Sequence, residues 1–154
     1  MKKINNKNFK NTLSKFATGV TIVTINNKLN LYGKTINSFT SLSLSPPLVL
    51  FSLAKISSKL EVYKKSKLLT INVLSKNQKL IADNFAKKHP SWKKINYFLN
   101  KDGNPIIKNC VSNFECRVVG KIKKGDHTIF ICKVLKVLNN GKLKPLIYFN
   151  STYL

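Results

Sequence analysis

Hydrophobic positions along this chain recur mostly with period two, in short runs separated by turn residues, and helical spacing is confined to three brief stretches. Val20, Ile22 and their β-branched neighbours in Gly19–Thr24 read as a strand, and Asn26-Asn27 supplies a turn into a partner strand at Leu31–Ile36. Leu48–Leu53 is a nearly continuous apolar run behind Pro46-Pro47, which disfavour helix, so it is expected to be a strand buried on both faces. Leu68–Leu74, the alternating Phe114, Cys116 and Val118 with Glu115 and Arg117 on a polar face, Ile129–Leu138 and Leu146–Phe149 complete the strand pattern.

Asn8 is placed to cap a first helix in which Phe9, Leu13 and Phe16 share a face and which Gly19 ends. A short helix is expected up to about Lys64. Ser75-Lys76-Asn77-Gln78 has the form of a capping box, opening a helix through Phe85 with Leu80, Ile81 and Phe85 on its inner face. Residues 87–105 are irregular and aromatic, a flap or a packed loop, and end in an Asp102-Gly103-Asn104-Pro105 turn. A turn between Gly120 and Gly125 and a hairpin at Asn140-Gly141 punctuate the last third. Many short strands with few helices predict a closed β architecture with small accessory helices.

The 154 residues suit one domain, 1–154, with no repeat or low-complexity linker dividing it. No apolar run approaches the roughly 20 residues of a membrane span, and the Lys/Asn-rich start has no secretory apolar segment. A cytoplasmic protein is expected. The net charge of +23 changes this picture less than its size suggests, because all but Arg117 of the 28 basic residues are lysines scattered along the chain. With abundant Asn and Ile, that is the composition of A/T-rich coding sequence, although a basic nucleic-acid-binding β-barrel is the alternative it raises. Three cysteines without C-x-x-C spacing favour reduced thiols, and five acidic residues in no paired arrangement give little support to carboxylate-dyad hydrolysis.

Candidate chemistry concentrates in three places. Thr35, Asn37, Ser38 and Ser41 lie between strands that would otherwise bury them unsatisfied, so they either shape turns or face a polar ligand. Ala54-Lys55-Ile56-Ser57-Ser58-Lys59 precedes the short helix; its hydroxyls and ammonium groups suit either a plain cap or a phosphate. His127, in Gly125-Asp126-His127 at a strand start, is a structural or a catalytic histidine.

Taken together, Gly33, Thr35, Asn37-Ser38-Phe39, Ser41, Ser43 and Pro46-Pro47 before an apolar strand resemble the flavin reductase-like family. The opening helix, Gly19-Val20-Thr21-Ile22-Val23-Thr24, Asn84-Phe85-Ala86, Gly125-Asp126-His127 and the terminal Pro-Leu-Ile-Tyr-Phe run with Tyr153 add to the likeness. The resemblance covers roughly residues 9–153 and implies a mainly β fold, an FMN-binding split β-barrel of Greek-key type with six or so strands. It implies an NADH- or NADPH-dependent reductase of FMN, or of FAD, that supplies reduced flavin to a flavin-dependent monooxygenase. It further implies that Thr35, Asn37, Ser38 and Ser41 address the flavin ring, that Lys55, Ser57 and Ser58 hold the phosphate with Ala54 in the same cofactor-binding segment, and that Asn84, Phe85 and Ala86 approach the flavin largely through backbone. His127 and Tyr153 would position the nicotinamide. Homodimers are common in the family. The family's frequent Gly-Arg-Val is replaced here by Cys132-Lys133-Val134, and a non-catalytic flavin carrier or sensor on the same fold is the rival reading.

Overall fold

The computed structural model describes residues 4–154. Helix α1 (Asn6–Leu13) is capped by Asn5, whose side-chain oxygen accepts from the amides of Lys7 and Asn8. The cap is therefore Asn5 rather than Asn8, and Ser14 ends the helix before Phe16. No residue of α1 is buried: Phe9 and Leu13 on it and Phe16 beyond it are 52%, 56% and 76% exposed. Its apolar stripe faces away from the core.

The chain then forms β1 (Thr18–Gly19), β2 (Thr21–Asn26), β3 (Leu31–Ile36), β4 (Thr40–Ser43), β5 (Leu48–Ala54), α2 (Leu60–Lys65) and β6 (Leu68–Val73). A 3-10 turn at Lys76–Gln78 carries the expected Ser75–Gln78 capping box into α3 (Lys79–Ala86). β7 (Tyr97–Leu99) and β8 (Pro105–Ile107) form a small hairpin, followed by β9 (Ser112–Lys124), β10 (His127–Asn139), β11 (Ile147–Phe149) and β12 (Thr152–Tyr153). Seven strands make one antiparallel sheet in the order β3-β2-β6-β9-β10-β5-β4. The sheet curls until its two ends meet: the Ser38 hydroxyl, just past β3, accepts from the Ser52 amide at 3.0 Å and donates to the Ser52 carbonyl at 3.1 Å in β5. This is the split barrel that the resemblance implies. β1, β11 and β12 form a second, smaller sheet.

The barrel interior holds Val23, Ile25, Phe51, Leu69, Ile71 and Phe130, with the Phe51 and Phe130 rings stacked at 4.9 Å from paired positions of β5 and β10. A second cluster under α3 contains Val20, Ile22, Leu74, Ala82, Phe85 and Ile107. β2 consequently buries both faces, whereas β5 alternates, with Val49, Phe51 and Leu53 buried and Leu48, Leu50 and Ser52 half-buried. The expectation that Leu48–Leu53 is buried on both faces is thus corrected, because α3 and β8 cover the outer face of β2 whereas that of β5 stays half-buried among the described residues.

Other boundaries shift for identifiable reasons. Gly120 lies within β9, at a register slip that leaves Val119 as the extra residue, and a Cβ there would lie 3.4 Å from Ile131. The turn is the two-residue Gly125-Asp126, with Gly125 at φ +52°. Asn140-Gly141 turns the chain without making a hairpin, since Leu146 bonds Leu74 and β11 pairs with β1. Of the expected inner face of α3, Phe85 is buried and Ile81 packs against the core, but Leu80 is 81% exposed and Ala82 takes its place. Glu115 is buried, accepting from Asn100 at 2.8 Å with Lys136 3.7 Å away, so its neighbours are these rather than Arg117. Among the described residues no helix is long and apolar enough to cross a membrane.

Candidate functional site

The free edge of β3 and the end of β5 diverge above Ser38 and leave a cleft of about 920 Å³, within the roughly 300–1,000 Å³ of small-molecule sites. Four segments wall it: β3 with the following Asn37-Ser38, the loop from Ala54 to Lys59, the exit of α3 at Ala86–Pro90, and His127 at the start of β10. Thr35, Asn37, Ser38, Ala54, Ser57, Ser58, Ala86 and His127, all expected at the site from the sequence, line this one cavity.

Local hydrogen bonding separates residues that build the wall from those with free donors. The Thr35 hydroxyl donates to the Ala82 carbonyl at 2.7 Å, tying β3 to α3, and Ser38 ties β3 to β5 as described. Both hydroxyls thus bond backbone, as the turn-shaping reading has it, while the two residues also line the cavity. Ser57 and Ser58 are different. The N-cap of α2 is Lys59, no side chain caps the helix, and the Ser57 carbonyl accepts from Leu60, leaving the two serine hydroxyls outside the cap. The plain-cap reading of these serines does not describe the structure.

His127 pairs opposite Ala54 in the β5–β10 ladder, which brings it beside the serine loop. Its Nδ1 is 2.7 Å from Asp126 Oδ1; this hydrogen bond, with the histidine's charge, holds the Asp126 carboxyl below the usual carboxylate range. Carboxylate contact at Nδ1 leaves Nε2 as the ring nitrogen available to a ligand.

Five expected residues stand outside the cleft lining. Lys55 donates to the Gly125 carbonyl at 2.6 Å and its amide to that of Asp126 at 2.8 Å, so it braces the turn before His127 instead of reaching inward. Ser41 sits on β4 opposite Val49, at the other end of the sheet order from β3. Of Asn84, Phe85 and Ala86 only Ala86 lines the cavity; the Asn84 side chain is engaged with both the amide and the carbonyl of Ser91, and Phe85 is fully buried in the core. Tyr153 lines a separate pocket of about 180 Å³ with Tyr148, sharing Thr35, Ile36 and Asn37 with the cleft. Burial, with Asp83 and Tyr148 nearby, pushes the Tyr153 hydroxyl up.

Tyr32, Lys34, Lys87, Lys88 and His89 also line the cleft, and Lys59, weighed with the serine loop, stands 5.8 Å above the Tyr32 ring. The sequence signal for the lysines, Ala86-Lys87-Lys88-His89 directly behind a helix, is hidden by the lysine-rich composition. Among the described residues no Asp or Glu lines the cavity. A wall of aromatic and aliphatic side chains, free serine hydroxyls and ammonium groups without counter-charge fits a flat, phosphorylated ligand, and flavin mononucleotide has that chemistry.

Comparison with known proteins bears on the same point. The chain is 38% identical over 149 residues to the FMN reductase (NADH) SmoA of Agrobacterium fabrum, covering 97% of this chain and 85% of that protein. It is 31% identical over 153 residues to the reductase subunit HsaB of a flavin-dependent monooxygenase from Mycobacterium tuberculosis, covering 97% and 82%. The flavin reductase PheA2 in its native state superposes with a TM-score of 0.90 at 34% identity, covering 98% of this chain and 97% of that one. The NADH:FAD oxidoreductase SgcE6 of Streptomyces globisporus, solved with NAD and FAD fragments, gives 0.92 at 28% identity, covering 100% and 96%. With residues 13–154 matching the flavin reductase like domain, the chain belongs to the flavin reductase-like family.

Proposed function

We propose that this cleft binds flavin mononucleotide and the nicotinamide of NADH side by side, and that the protein reduces the flavin and supplies it to a partner monooxygenase. The observation that carries the reading is the convergence, in one cavity, of the serine loop, the β3 edge and His127. Hydride transfer from nicotinamide to the flavin ring is the chemistry the bound pair supplies; the protein's part is to hold and orient.

Ser57 and Ser58 hydroxyls, with Lys59, hold the phosphate at the start of α2. Thr35, Asn37 and Ser38 present the β3 edge to the polar rim of the ring, and Ala86 closes the other side. His127, braced by Asp126 and by the Lys55–Gly125 bond, places Nε2 for the nicotinamide carboxamide and is assigned no proton transfer. Tyr153 supports this arrangement from the adjoining pocket. Exposed Phe9, Leu13 and Phe16 at α1 mark the face that a second copy of the chain covers, giving a homodimer. Cytoplasmic placement accords with three free, buried cysteines.

Anaerobic mixing with FMN and NADH, followed by flavin absorbance, tests the reading against His127→Ala. Multiple-turnover bleaching slowed in the variant, with FMN affinity retained, is expected. Flavin binding without bleaching would favour a carrier or sensor.

A further inference from the structure

One phosphate ester does not account for the positive charge in this cleft, and the surplus stands on a different wall from the serine loop. Lys34 lies on β3, and Lys87 and Lys88 lie on the segment leaving α3. The half-buried Lys34 donates from Nζ to the Ala86 carbonyl at 3.1 Å, which sets its ammonium group beside the backbone of Lys87. That segment is anchored at both ends. Asn84 accepts from the Ser91 amide at 3.1 Å and donates to the Ser91 carbonyl at 2.8 Å, and the Trp92 indole donates to the Leu31 carbonyl at 3.0 Å. Lys87 and Lys88 therefore project from a tied loop.

Neighbouring ammonium groups with no carboxylate on the same wall repel one another, and a polyanion placed among them relieves that repulsion. Ammonium groups act on phosphate as point charges, without the planar match that carboxylate recognition by arginine uses. We infer that Lys34, Lys87 and Lys88 form a second anion subsite that takes the phosphates of the nicotinamide dinucleotide: the pyrophosphate of NADH and, in NADPH, the 2′-phosphate as well. The identity of the ligand rests on the flavin reductase reading. Among the described residues no carboxylate lines the cleft to repel a 2′-phosphate.

Equilibrium calorimetry with NAD⁺ and with NADP⁺, and separately FMN fluorescence quenching, on Lys87→Gln/Lys88→Gln tests this without turnover. Lys93→Gln/Lys94→Gln is the control, removing equal charge from exposed positions outside the cleft. Dinucleotide binding is expected to weaken roughly two- to thirtyfold in the first variant, as loss of two exposed ion pairs implies. Weakening of both dinucleotides locates the pyrophosphate at the subsite, and a larger loss for NADP⁺ adds the 2′-phosphate. FMN affinity should stay within about twofold. Dinucleotide affinities matching the control, or weakened FMN binding with dinucleotides unaffected, would overturn the inference. Failure of the unaltered protein to bind FMN would instead sink the flavin reading, with the dinucleotide titrations still deciding the subsite.

Discussion

Gly33 and Phe85 meet so closely that a Cβ on Gly33 would stand 2.5 Å from two carbons of the Phe85 ring. Gly33 is in the cleft-forming edge strand β3, and Phe85 is a fully buried residue of α3, so the contact fixes the distance between β3 and the helix whose exit forms another wall of the site. Gly33→Ala should destabilise the fold by about 1–3 kcal/mol, the usual cost of overpacking, read as a lowered urea midpoint. Adding Phe85→Leu should restore part of that loss. A double variant less stable than the sum of the singles would show that the ring is not what the methyl meets.

The serine loop predicts a phosphate-specific defect. Ser57→Ala/Ser58→Ala removes two hydroxyls, each worth about 1 kcal/mol as a hydrogen bond, so FMN affinity should fall about thirtyfold. Riboflavin, which lacks the phosphate, should bind the variant and the unaltered protein alike. Equal loss for both flavins in fluorescence titrations would place the phosphate elsewhere.

Burial pushes the Cys110 and Cys132 thiols up to about 12 and raises Cys116 as well. Unfolded thiols ionise near about 8.5. Between these values the unfolded chain holds fewer protons than the folded one, so stability is full below about pH 8 and falls as pH rises toward 12. Each thiol contributes at most about 1.4 kcal/mol per pH unit. Melting temperatures from about pH 7.5 to 10.5 should decline less steeply for Cys132→Val than for the unaltered protein. Iodoacetamide should leave all three thiols unmodified until denaturant is added.

Leu13→Asp/Phe16→Asp places charge on the exposed apolar side of α1. Light scattering should report a dimer for the unaltered protein and a monomer for this variant. A dimer that survives both substitutions would put the interface elsewhere.

Much of this architecture is legible in one-dimensional pattern because β-branched alternation and turn residues act locally. Leu31–Ile36 and the Ser75–Gln78 capping box appear where their residues place them. The errors arise where a distant partner decides. β2, not β5, is covered twice because α3 and β8 fold over it, and Gly120 serves a bulge against Ile131 instead of a turn. The same division holds at the site. Thr35, Asn37, Ser38, Ser57, Ser58 and His127 were readable through motif and spacing, and they share one cavity. Lys55 and Asn84 carry the same polar chemistry, yet nearby backbone groups, Gly125 and Ser91, claim their side chains. Lys87 and Lys88 could not be told from the other lysines of a chain with charge +23 until the fold put them in the cleft.

The most direct measurement is flavin absorbance near 450 nm (roughly, a property of the flavin the protein holds) after anaerobic mixing of NADH with a molar excess of FMN over protein. Bleaching of more flavin than there is protein, slowed by His127→Ala without loss of FMN affinity, is the result predicted here. Absence of bleaching from protein that binds FMN would contradict it.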